Sequence, residues 1–86
     1  MNVFIVIVKR FYVSRGIDYA MPIDAEDMKI FASESEAEIE RSKMFEEFLA
    51  KGNLFIASYK HYESFSVIYY LDGSRKVFQT IKKEVR

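Results

Sequence analysis

Apolar positions follow three different rhythms along this chain. From Val3 to Val8 every position is apolar, and the run continues through Lys9-Arg10 to Phe11-Tyr12-Val13. β-Branched and aromatic residues dominate it, so Val3–Val13 reads as a long first strand. An unbroken apolar half implies cover on both faces and a central place in a sheet. Ser14-Arg15-Gly16 ends it, with Gly16 supplying the positive φ of a turn. Residues 17–27 (IDYAMPIDAED) have no period, and Pro22 argues against a central strand. They read as an ordered loop that includes a short edge strand near Ile17–Ala20. Met28–Phe31 is either a short strand leading onward or part of one helical turn capped by Asp24.

The second rhythm is helical and covers residues 33–52. Ser33 followed by Glu36 fits a capping box. Glu34, Glu36 and Glu38 suit the positive end of the helix dipole, Lys51 suits the negative end, and Gly52 can stop the helix. At about 100° per residue, Ala37, Met44, Phe45, Phe48 and Leu49 share one face, with the Arg41 stem between them; Glu36, Lys43, Glu46 and Glu47 lie opposite. The length is about 28 Å.

The third rhythm is alternation. Leu54–Lys60 and Phe65–Leu71 read as strands, or as one long bent strand, because no Gly or Pro separates them near His61–Ser64. Asp72-Gly73 signals a hairpin into Lys76–Lys82. The order predicts a single α+β domain over residues 1–86: a mainly antiparallel, four- to five-stranded sheet with one long helix packed on one face.

Composition sharpens this. Half of the 86 residues are apolar or aromatic, with eight Phe, six Tyr and no Trp. The absence of Cys excludes a disulfide or a Cys-based zinc site and suits a reducing cytoplasm. Val3–Val8 is far shorter than the ~20 residues that span a bilayer, and its basic residues follow rather than precede it, unlike a signal peptide. A soluble, unprocessed protein is expected. Net charge is zero, yet residues 1–17 carry +3, residues 18–47 carry −7 and residues 48–86 carry +4.

One helix supplies few large apolar groups, while the strands supply many rings. Adjacent pairs such as Phe11-Tyr12 and Tyr69-Tyr70 must point to opposite faces. So the face without the helix carries rings in any register. Either the irregular stretch 15–32 folds over that face, or the face is a contiguous patch for self-association or a partner. A homodimer is the simplest cover. The residues expected to bind a partner are Phe11, Tyr12, Tyr59, Tyr62, Tyr69 and Tyr70.

Catalytic chemistry has little support. His61 is the sole histidine, and in His61-Tyr62-Glu63 strand neighbours cannot converge, so a solvated hairpin tip outweighs a general acid–base pair. No Ser sits in a nucleophile elbow. Asp18, Asp24, Glu26 and Asp27 cluster without the spacing of a calcium loop, and the three glycines are isolated, which rules out a phosphate loop. A ferredoxin-like nuclease would want an Asp where Lys9-Arg10 stands. The expectation is no enzyme, no cofactor and no metal.

Single-stranded nucleic acid is the alternative partner, because basic grooves lined with rings hold it. Lys9, Arg10, Lys60, Arg75 and Lys76 are the residues for that role, with Lys82, Lys83 and Arg86 adding charge. Lys on an edge strand also serves against aggregation. The acidic helix start could dock on a basic groove of another protein, although the helix dipole accounts for it without a partner.

Phe31-x-Ser33-x-x-Glu36-Ala37 after a long N-terminal strand resembles a junction found in many small uncharacterised phage-encoded proteins. That resemblance covers residues 28–40 and the general layout. It implies an accessory or inhibitory protein acting on a host, defence or toxin factor by stoichiometric binding, and carries over no catalytic residue.

Overall fold

A computed structural model describes residues 1–23, 25–52 and 54–85. Its strands are β1 (Asn2–Ser14), β2 (Ile17–Ala20), β3 (Met28–Phe31), β4 (Ile56–His61), β5 (Phe65–Tyr70) and β6 (Arg75–Glu84), with helix α1 (Glu34–Gly52) between β3 and β4. All pairings are antiparallel in the order β2-β1-β6-β5-β4, and β3 pairs with β1 as well. The sheet thus has six strands rather than four or five. The additional pieces are β2 and β3, which share one edge of β1. β2 pairs with its last third, from Phe11↔Ala20, and β3 with its first third, from Phe4↔Phe31.

The described residues of the stretch 15–32 therefore extend the sheet and do not cover its helix-free face. Arg15 (φ 53°) and Gly16 (φ 76°) make the tight turn that sends the chain back along β1. Two successive positive φ values match the right-handed twist of the flanking strands. Met21 N–H still donates to the Arg10 carbonyl. A single 3-10 turn at Ala25–Asp27 then leads into β3, and its Asp27 carboxylate accepts from the Arg10 guanidinium on the helix side. The Asp24 cap considered for this turn and the charge of Arg86 lie outside the described residues.

β4 and β5 are two strands joined by a hairpin, with Tyr62 N–H donating to the Phe65 carbonyl. The hairpin at Asp72-Gly73 has a four-residue loop, 71–74. Gly73 takes φ 90°, and the Asp72 carboxylate accepts from Ser74 N–H and its hydroxyl. Those bonds to Ser74 hold the Asp72 carboxyl below the usual range.

Helix α1 starts where its signals place it. Glu36 N–H donates to Ser33 Oγ at 3.2 Å, which satisfies one free amide of the first turn. Its buried residues are Ala37, Arg41 and Phe45. Phe45 joins Val8, Ile68 and Phe78 in the core, edge-on to Phe78 at 5.8 Å, and Met44, Phe48 and Leu49 pack around them. Arg41 is buried beyond the stem that the apolar stripe places on this face. The whole side chain is 2% exposed, because its guanidinium donates to Glu38, to Ser66 Oγ and to the carbonyls of Tyr62 and Glu63. A buried guanidinium needs this saturation.

Candidate binding face of the sheet

Strand alternation divides the side chains of the sheet into two sets. The even residues Val6, Val8 and Arg10 of β1 point toward α1, together with Phe78 and Thr80 of β6 and Ser66 and Ile68 of β5. The cross-strand register orders the opposite face into four rows. The first is Ile30–Ile5–Ile81 and the second Met28–Ile7–Gln79–Phe65. The third is Lys9–Val77–Val67–Lys60 and the fourth Phe11–Arg75–Tyr69–Ser58. Among the described residues no element lies over these rows. Ile30 is 65% exposed, Phe65 38% and Tyr69 37%. Ile7 and Val67 are buried on the same face by their neighbours: Val67 sits between Phe65 and Tyr69 along β5 and between Val77 and the Lys60 stem across it.

The face has two halves. The half near the start of β1 is mainly aliphatic, with Phe65, Gln79 and Lys83 beside the Ile residues. The half near its end interleaves rings and cations. The Arg75 guanidinium lies over the Phe11 ring at 4.3 Å and donates to Asp18 at 3.1 Å, and the Tyr62 ring stacks on Phe65 at 4.5 Å. Lys9, Lys60, Arg75 and Lys83 fall on this face; the strand acid that points to it, Asp18, is already on Arg75, while Glu84 of β6, paired with Asn2, points to the helix side. The exposed acids of α1, among them Glu34, Glu36, Glu46 and Glu47, are on the other side of the molecule.

The residues singled out in the sequence divide between the two faces. Phe11, Tyr62 and Tyr69 meet on the open face, as do Lys9, Lys60 and Arg75. Tyr12, Tyr59 and Tyr70 point to the helix side, as do Arg10 and Lys76. Tyr12 stacks on Tyr19 at 5.1 Å, and Tyr59 meets Phe45 edge-on at 5.9 Å. The Lys76 ammonium sits over Phe48 at 4.1 Å and near Tyr70 at 5.4 Å. Burial lowers the Lys76 pKa, with the Arg10 charge adding to it, and burial likewise raises that of Tyr70. Neither Arg10 nor Lys76 is placed to serve the open face. Reasoning from the sequence missed Ile5, Ile30, Ile81 and Phe65 as part of it. The alternation of β1 carried that signal, but an apolar run cannot say which of its two sides is covered.

His61 is exposed at the end of β4 beside the hairpin, as expected, but its ring is not free of partners. Its ring stacks on Phe45 at 5.1 Å, and its Nδ1 lies 2.6 Å from Ser66 Oγ. Arg41 Nη1 donates to the same Oγ at 2.6 Å. Ser66 Oγ thus bridges Arg41 and His61. Ser66 is completely buried, so this pair cannot present a nucleophile to a substrate; it ties the β4–β5 hairpin to α1. Among the described residues no group of three His, Asp or Glu is placed to hold a metal ion, and no helix is long and apolar enough to cross a membrane.

No protein-family model matches the chain, and neither a curated protein nor a solved structure matches it.

Proposed function

We propose that this chain is a non-enzymatic protein-binding module acting by stoichiometric association through the helix-free face of its sheet. One observation carries the reading. An antiparallel sheet of six strands has a helix on one side, while the other exposes Met28, Ile30, Phe65 and Tyr69 along rows that run across its strands. Contiguous apolar surface of that kind, rimmed by charge, is the ordinary mark of an association site. A phage-encoded inhibitor of a host, defence or toxin factor is the form of this function that the Phe31–Ala37 junction suggests.

Single-stranded nucleic acid is the second reading. It is favoured by the row Phe11–Arg75–Tyr69 with Lys9 and Lys60 beside it, since exposed rings among cations are what unpaired bases and phosphates use.

The two are separated by placing a photoreactive phenylalanine analogue at Tyr69 and, as a control on the outer side of the helix, at Ile39, then irradiating each variant in cell extract. A protein adduct from position 69 and none from 39 is the expected result. A nucleic-acid adduct from 69, lost when Lys9, Lys60 and Arg75 are replaced by Glu, would establish the second reading. Adducts from 39 alone would move the site to the helix.

A further inference from the structure

Apolar and charged groups are ordered on the helix-free face, and the order has the width of a single helix. The exposed apolar side chains run obliquely across the strands, from Ile30 and Met28 on β3 to Phe65 and Tyr69 on β5. Ile7 and Val67 lie between them, with Gln79 as a polar interruption. At about 4.8 Å between strands and 3.4 Å per residue along them, this strip is about 25 Å long. Lys9 and Lys60 bracket it. They end the row Lys9–Val77–Val67–Lys60, three strand spacings or about 14 Å apart. Among the described residues neither has an ion-pair partner, and the acid of the strands on this face, Asp18, is held by Arg75.

These dimensions select among occupants. An α-helix with its side chains is about 10–12 Å across, so one helix fills the strip and leaves both ammonium groups at its flanks, in reach of water. A second sheet, several strands wide, carries Lys9 and Lys60 into a dry interface, where unpaired charge is strongly unfavourable. A second copy of the chain fits badly. Face to face it sets cations on cations, and the outer side of its α1, although acidic, exposes one large apolar residue, Ile39. Nucleic acid leaves the aliphatic end around Ile30 unused, since bases stack on rings.

We propose that the occupant of this face is an acidic amphipathic helix of another protein, with an apolar stripe on the Ile30–Tyr69 strip and carboxylates on both flanks against Lys9 and Lys60. The proposal rests on the reading of the open face as an association site and names its partner. A strip of this length takes about 17 helical residues at 1.5 Å per residue. The bound helix supplies the missing third layer, so that the sheet lies between two helices. Its apolar stripe carries most of the affinity. The flanking carboxylates set its position, speed encounter and discriminate against helices with basic flanks, which meet Lys9 and Lys60 as like charges.

Three stapled helical peptides of that length test this. They share one Leu stripe and carry Glu, Gln or Lys on both flanks; binding to the full chain is read by fluorescence anisotropy and mapped by amide NMR shifts. The expected order is Glu, then Gln, then Lys, with about fivefold between Glu and Gln because two rim ion pairs are gained. Shifts should centre on Ile7 and Val67. Lys9→Gln with Lys60→Gln should flatten the order, and Lys9→Glu with Lys60→Glu should invert it, a result that an unfolded variant cannot give. Equal binding of the three, preference for Lys flanks, or shifts confined to α1 would overturn the proposal. If position 69 still gives a protein adduct in extract, those outcomes leave the open face as an association site with a different partner. Binding of none of the peptides together with no protein adduct from position 69 would overturn both readings.

Discussion

On the helix side of the sheet Phe45, Phe78, Val8 and Ile68 exclude water from one another; on the far side Ile30, Phe65 and Tyr69 meet it. The same strands build both surfaces, and neighbouring residues of one strand serve opposite ends. Phe11 and Tyr12 divide in this way, as do Tyr69 and Tyr70. Polar groups differ between the sides as well. On the helix side several are held: Arg41 saturates its donors on Glu38, Ser66 and two carbonyls, and Lys29 reaches Glu40 at 2.5 Å. On the open side Lys9 and Lys60 flank an apolar row. The contrast separates the part of the sequence that drives folding from the part left exposed.

Changes to the core should break this contrast most forcefully. Phe78→Ala removes a fully buried ring and is expected to cost about 3–5 kcal/mol, against a total stability of roughly 4–13 kcal/mol for a chain of this length. Phe65→Ser on the open side should change stability by less than about 1 kcal/mol. Urea unfolding of the pair measures both, and equal losses would mean that the open face is structural. Arg41→Ala comes next. It leaves Ser66 and the carbonyls of Tyr62 and Glu63 without their donor, an expected loss of about 2–4 kcal/mol. Lys60→Met, on the other side, should be close to neutral.

Thr80→Val should act in the opposite direction. The Thr80 hydroxyl is buried on the helix side without a hydrogen-bond partner, so its removal is expected to stabilise the protein by about 1 kcal/mol, read as a rise in Tm. The smallest effect belongs to Lys76. Burial depresses its folded pKa below the usual 10.5. Between that depressed value and the unfolded one, the unfolded chain holds more protons than the folded chain, so the Lys76 contribution to stability rises with pH. Tyr70, raised above 10.0, works oppositely over alkaline pH, because there the folded chain keeps a proton that the unfolded chain loses. Lys76→Met should therefore leave a stability profile that falls more steeply above pH 10.0 than that of the parent chain. Denaturant midpoints measured across the alkaline range show whether it does.

Much of the fold was readable residue by residue. The helix start came from Ser33 and Glu36, its buried stripe from Ala37, Phe45 and their neighbours, and the interior position of β1 from its unbroken apolar run, although the cover on both faces that the run implied is found only on the helix side among the described residues. The two short strands were only half visible, because four-residue segments around Pro22 carry too little periodicity to be distinguished from an ordered loop. The candidate site was legible as a surplus of rings but not as a set. Half of the singled-out aromatics and two of the five cations point to the helix side.

Local chemistry, which acts over three or four residues, was enough to determine the helix with its caps, the turns at Gly16 and Gly73, and the split of every adjacent aromatic pair between two faces. Which face the helix covers, which strands neighbour one another, and therefore that Lys9, Phe11, Arg75 and Tyr69 share a surface while β4 is left as an open edge, depended on pairings between residues up to some eighty positions apart, such as Asn2 with Glu84. Those pairings were decided by burying Val8, Phe45, Ile68 and Phe78 together, a non-local gain that no single segment of the chain encodes.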